Sequence, residues 1–159
     1  MFAAVRGTPA RVKLRDLLSP GSTRYLSHGL LVIRVAAGLV LAPHGWFKLV
    51  DGAQGLAGGL AAKGLPMPSV LAWCATLSEL VGGALLIAGL FTRPAAAVVS
   101  FTMVFAWVSS HLADLPKIGR PGGPAFEYPF LLSMVALGIV LAGPGRYSAD
   151  AALEGRVSR

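Results

Sequence analysis

The sequence predicts an all-α integral membrane protein: a four-helix bundle with both termini in the cytoplasm. Three observations support this prediction. Hydrophobic residues make up 55% of the 159 residues and charged residues only 13%, whereas soluble domains contain about 25% charged residues. Four apolar stretches have lengths close to the ~20 residues that a helix needs to cross a bilayer. The basic residues collect on one side of these stretches, which is the pattern of cytoplasmic loops.

The predicted spans cover about residues 27–50, 69–90, 94–112 and 127–142. The 52–68 connection has room for a short interfacial helix before Gly and Pro residues stop it. These boundaries divide the chain into a basic cytoplasmic segment (1–26), a four-helix transmembrane domain (27–145) and a polar cytoplasmic tail (146–159). The basic segment fits either a short helix on an anionic membrane surface or a solvated tail.

The orientation follows from the positions of Lys and Arg. With both termini inside, nine of these residues are cytoplasmic and three face outward, which is the bias expected of a multi-pass membrane protein with its termini in the cytoplasm. The cytoplasmic set is Arg6, Arg11, Lys13, Arg15, Arg24, Arg93, Arg146, Arg156 and Arg159, and the outer set is Lys63, Lys117 and Arg120. The formal charge of +7 therefore indicates topology and anionic lipids as partners, and no nucleic acid.

Glu79 is the most informative residue of the predicted spans. A carboxylate near the middle of an apolar span costs roughly 2.5–3.5 kcal/mol or more unless it has a partner. Arg34, His44 and Lys48 fit on one face of the preceding span at 100° per residue, so we expect a polar pocket of both charges. Pro43 removes a backbone hydrogen bond beside His44 and adds a free carbonyl to this niche.

Three further polar or aromatic residues extend the list of ligand-binding candidates. Trp107 and His111 lie four residues apart in the third span, and Glu127 opens the fourth. Simpler interpretations stay open: a structural ion pair at Glu79, a snorkelling lysine at position 48, packing histidines, and a carboxylate at position 127 that suits the helix dipole. The pattern predicts no metal site, and a single cysteine, Cys74, excludes an intrachain disulfide.

Taken in order, short motifs along residues 27–151 resemble the DoxX family of small bacterial four-helix membrane proteins. They are Arg34 with Gly38, His44-Gly45, Lys48-Leu49, Gly64-Leu65-Pro66, Glu79-Leu80, Gly82-Gly83, Gly89-Leu90-Phe91-Thr92-Arg93, His111, Glu127-Tyr128-Pro129 and Gly143-Pro144-Gly145-Arg146-Tyr147-Ser148. The resemblance implies a multi-pass protein of the bacterial inner membrane. It also implies a link to membrane-associated oxidoreductase systems that handle oxidative stress or thiol and sulfur redox chemistry. It assigns no catalytic residues.

The leading hypothesis is a quinone-interacting or accessory subunit of such a system. A quinone needs a flat apolar slot, a hydrogen-bond donor and a proton source. Arg34, His44 or Lys48 is the candidate donor, and Glu79 with His44 the candidate proton relay. Because the sequence contains no covalent cofactor motif, a soluble or membrane partner protein would supply electrons. The alternative is a non-enzymatic protein, alone or as a homo-oligomer, that handles small molecules or lipids or anchors a membrane complex.

Overall fold

The computed structural model describes residues 25–112 and 127–157, without the side chains of His111, Arg156 and Val157. The basic N-terminal segment and the predicted 113–125 loop, with Lys117 and Arg120, lie outside the described residues. The described part is all-α and contains six helices and no strand. They are α1 (Leu26–Val50), α2 (Gln54–Ala62), α3 (Pro68–Ala88), α4 (Thr92–His111), α5 (Glu127–Ala142) and α6 (Ala149–Val157).

The four long helices lie where the apolar stretches predicted them, within two residues at every boundary. Helices α1 and α3 are long and apolar enough to cross a membrane, and α5 is a shorter apolar helix. Helix α2 occupies the 52–68 connection, where a short helix was expected. These helices expose many large apolar side chains, from Val32 in α1 to Leu141 in α5. Such a surface is the one expected of helices that contact lipid.

Helices α1 and α3 form the most extensive contact between elements. Glycines at this contact have no side chain, which lets the two backbones approach closely. A Cβ on Gly38 would lie 2.5 Å from the Gly83 carbonyl oxygen, and one on Gly45 would lie 2.7 Å from the Cα of Leu80. A Cβ on Gly83 would in turn lie 2.7 Å from the Ala42 backbone nitrogen. Small residues thus bring two backbones together, as they do between helices in membranes. The second extensive contact joins α4 to α5, and α3 packs on α4.

The C-terminal residues, for which only a polar tail was expected, form α6, and hydrogen bonds attach this helix to the α3–α4 turn. Both carboxylate oxygens of Asp150 accept hydrogen bonds from the turn, from Phe91 N–H at 2.8 Å and Thr92 N–H at 2.9 Å. Asp150 N–H donates to the Gly89 carbonyl at 2.9 Å. Asp150 therefore satisfies the free N–H groups at the start of α4, although it lies 58 residues from Thr92.

Burial raises the pKa of Asp150, but the opposing effects are larger in sum. The N–H groups of Thr92 and Phe91 stabilise the carboxylate, and the charge of Arg34 acts in the same direction. The pKa of Asp150 is therefore held below its ordinary value. The attachment of α6 consequently depends on an ionised carboxylate.

Candidate functional site

The buried carboxylate of Glu79 pairs with Lys48. The Lys48 ammonium donates to Oε1 at 2.6 Å and to Oε2 at 2.7 Å. The side chain of Glu79 is 6% exposed and that of Lys48 is 33% exposed. The close approach of α1 and α3 at Gly45 and Leu80 sets this geometry, since it brings neighbouring turns of the two helices into contact. The pair neutralises the charge that would otherwise be costly inside an apolar helix contact.

Two cavities flank this ion pair, and Lys48 lines both. The first, here called the outer cavity, measures about 510 Å³ and lies between α1 and α2. Its lining includes Pro43, His44, Phe47 and Asp51. The second, the inner cavity, measures about 70 Å³ and also contacts Glu79. Its other polar lining residues are Thr102, Ser109 and Ser110 of α4.

His44 lines the outer cavity, and one of its ring nitrogens is hydrogen-bonded. Its Nδ1 lies 2.7 Å from the Val40 carbonyl oxygen. Since a carbonyl can only accept, Nδ1 carries the hydrogen, and in the neutral ring Nε2 is the acceptor. The imidazole also stacks at a tilt on the phenol ring of Tyr128, with 5.2 Å between ring centroids. This contact joins α1 to α5.

Arg34 is separated from the other candidates. It is 1% exposed and donates to the carbonyls of Leu86 at 2.8 Å, Ile87 at 3.1 Å and Tyr147 at 2.7 Å. Its guanidinium therefore joins the end of α3 to the segment before α6. Fourteen residues along a helix at 1.5 Å each put it about 21 Å from Lys48. The angular reasoning placed both residues on one face, but it left out this axial distance.

Of the remaining candidates, Trp107 and Glu127 are not among the lining residues of either cavity. The indole of Trp107 packs edge-on against Phe130 at 5.7 Å, and its buried Nε1 has no partner among the described residues. Glu127 is exposed in the first turn of α5. His111 ends α4, and its side chain lies outside the described part. Whether any of these residues binds a ligand stays a prediction.

Sequence reasoning missed Tyr128 and Thr102. The ring of Tyr128 contacts that of His44, and Thr102 lines the inner cavity. No periodicity or spacing links these positions, because the contact joins helices that are distant in the chain. Among the side chains that the structure describes, no group of three or more His, Cys, Asp and Glu could hold a metal ion.

Comparisons with known proteins identify the family of the chain. The sequence model of the DoxX family matches residues 29–112. A Haemophilus influenzae protein named only "Uncharacterized protein" is 32% identical over 127 residues, covering 80% of this chain and 92% of its own. The Escherichia coli "Inner membrane protein YphA" is 30% identical over 76% of this chain and 87% of its own.

A Bacillus subtilis protein named "Putative oxidoreductase CatD" is 30% identical over 112 residues, or 70% of this chain and 78% of its own. No solved structure matches the chain. The family match covers more than half of the 159 residues, and it includes Arg34, His44, Lys48 and Glu79. The chain belongs to the DoxX family and is a membrane protein.

Proposed function

We propose that this protein is a quinone-binding accessory subunit of a membrane-associated oxidoreductase system in the bacterial inner membrane. In this proposal α1, α3, α4 and α5 form a transmembrane four-helix bundle with both termini in the cytoplasm. The bias of nine basic residues against three supports that orientation. The names of the Escherichia coli and Bacillus subtilis relatives support the membrane and the oxidoreductase association, respectively.

The observation that carries the proposal is the outer cavity beside a buried ion pair. Its volume of about 510 Å³ falls within the 300–1,000 Å³ of typical small-molecule sites. Its wall is largely apolar, with Phe47, Pro43 and Leu56 beside the polar ends of His44 and Lys48. A flat, largely apolar ring with two carbonyl oxygens matches that combination.

The residues of this site can bind a quinone ring and move its protons. A bound quinone takes up two electrons and two protons when it is reduced, and releases them when it is oxidised. The Lys48 ammonium is a donor to a carbonyl oxygen, while Nε2 of neutral His44 accepts a proton from a quinol hydroxyl. Glu79 contacts Lys48 directly, so it compensates the charge of the ammonium and can take one of its protons. The Lys48 amine then accepts the second proton of the quinol. Electrons come from a partner protein in this proposal.

Quinone binding tests this function directly. The purified protein in mild detergent is titrated with ubiquinone or menaquinone, and binding is read from quenching of its three tryptophans. We expect saturable binding that weakens in His44→Leu and in Glu79→Gln. Phe101→Leu is the matched control, because Phe101 is 73% exposed on α4 and lines neither cavity. Absence of saturable binding by folded wild-type protein would refute the proposal.

One observation favours the second candidate, an assembly or anchoring protein. Lys48 uses two hydrogen bonds to satisfy both oxygens of Glu79, which is what a purely structural ion pair requires. In that case Glu79→Gln reduces the amount of folded protein in the membrane in proportion to any loss of oxidoreductase activity. Under the quinone proposal, activity falls while folded protein still accumulates.

A further inference from the structure

A second, wholly apolar groove runs along the surface between α1 and α5. It measures about 260 Å³, and its lining includes Ala36, Ala37 and Val40 of α1 with Leu131 and Val135 of α5. Helices α1 and α5 pack much less extensively than α1 and α3, so their contact leaves a seam. Since Leu131 is 63% exposed and Val40 is 39% exposed, the groove opens sideways, toward the hydrocarbon of the bilayer.

The ring pair of His44 and Tyr128 lies about one helical turn from the lining of the groove on both helices. Val40 lies one turn before His44 and accepts its Nδ1–H, and Leu131 lies one turn after Tyr128. At 100° per residue, Val40, His44 and Lys48 follow one another along the same face of α1. On α1, the lining of the apolar groove is therefore followed by that of the outer cavity, which begins at Pro43 and His44. The ring of Tyr128 stacks on His44 at this point.

We propose that this groove holds the isoprenoid tail of the quinone whose ring occupies the outer cavity, and that the quinone enters sideways from the bilayer. This inference rests on the proposed function and adds the tail site and the route of entry. Its basis is the order of surfaces along α1: an apolar groove wide enough for one chain, followed by a cavity lined by the polar side chains of His44, Lys48 and Asp51.

The chemistry of both ends favours this occupant over a phospholipid. A phosphate headgroup needs an unpaired cation, but the ammonium of Lys48 is already bound to both oxygens of Glu79. Two acyl chains also need a broader surface than a groove of about 260 Å³. A single tail with a neutral, flat head satisfies both conditions.

The groove would bind the tail through shape complementarity, so the experiment should change the shape of the groove and leave its polarity unchanged. The lipid tails that surround α1 are as apolar as the groove, so an isoprenoid chain gains little hydrophobic free energy by leaving them. What it gains is packing contact and a fixed orientation of the ring. A larger side chain in the groove should therefore exclude the tail without affecting a quinone that has none.

The test compares Ala36→Phe with Leu39→Phe. Both positions are exposed on α1, but only Ala36 lines the groove, so both variants should fold. Each protein is titrated, by tryptophan quenching at fixed detergent concentration, with a ubiquinone carrying a two-unit isoprenoid tail and with a ubiquinone lacking the tail. We expect Ala36→Phe to weaken binding of the tailed quinone by about tenfold, or ~1.4 kcal/mol. Leu39→Phe should bind both quinones like wild type.

The outcomes separate the groove from the proposed function. If wild-type protein binds neither quinone, the proposed function itself fails. If Ala36→Phe binds the tailed quinone like wild type, or loses both quinones equally, the tail site is wrong and the ring site stands. If palmitate displaces the tailed quinone from wild type at a comparable concentration, the groove accepts any acyl chain and the assignment to an isoprenoid tail is overturned.

Discussion

Removing the ammonium of Lys48 should destabilise the protein more than removing both charges of the ion pair. Lys48→Met keeps the length of the side chain but leaves Glu79, which is 6% exposed, without its partner. Breaking a fully buried pair from one side costs about 3–5 kcal/mol. Because the Lys48 side chain is 33% exposed, solvent reaches the site and relieves part of this cost, and about 2 kcal/mol is the expected loss.

The double variant Lys48→Met with Glu79→Gln gives the second half of this prediction. An amide has no net charge to leave unpaired, so the double variant should be more stable than Lys48→Met. Its loss of stability should also be at least about 1 kcal/mol smaller than the sum of the two single losses. Thermal unfolding in one detergent, followed by circular dichroism, measures the effect. At about 2–4 °C per kcal/mol, the single lysine variant should unfold some 4–8 °C below wild type.

Additivity would refute this reasoning. If the two single changes sum to the double variant within about 0.5 kcal/mol, the residues do not interact in the folded protein. Lys48→Arg is the matched control, because it retains a cation that can reach the carboxylate. The unfolding temperature of that variant should lie closer to wild type than that of Lys48→Met.

Two further predictions concern the contact between α1 and α3 and the docking of α6. Gly45→Ala should lower the free energy of unfolding by about 1–3 kcal/mol, since its Cβ would lie 2.7 Å from Leu80 Cα. Gly138→Ala is the control, because a Cβ there would have nothing within 4 Å. Equal unfolding temperatures of the two variants would contradict the close helix contact. Acid should weaken the docking of α6 on the α3–α4 turn. Because the pKa of Asp150 is depressed in the folded protein, its carboxylate stabilises the docked helix fully at a pH above the ordinary pKa of about 3.9. This stabilisation is lost as the pH falls below that value. A spin label at Glu154→Cys in a Cys74→Ala background should become more mobile over that range, and Asp150→Asn should abolish the transition; an unchanged transition in that variant would contradict the assignment.

The sequence alone determined the class of protein and the positions of its long helices. Apolar stretches of bilayer length depend on composition and local spacing, so no knowledge of packing is needed to find them. The cost of Glu79 in an apolar span also predicted an intramembrane partner, and Lys48 was among the candidates.

Tertiary structure decided which residues meet. Lys48 reaches Glu79 and Arg34 does not, because about 21 Å of helix separates the two cations and the register of α1 against α3 selects between them. Asp150 caps α4 from the far end of the chain, so α6 forms where local sequence indicated only a polar tail. Tyr128 joined the site for the same reason: its contact with His44 depends on how α5 lies against α1, and local sequence carries no information on that distance.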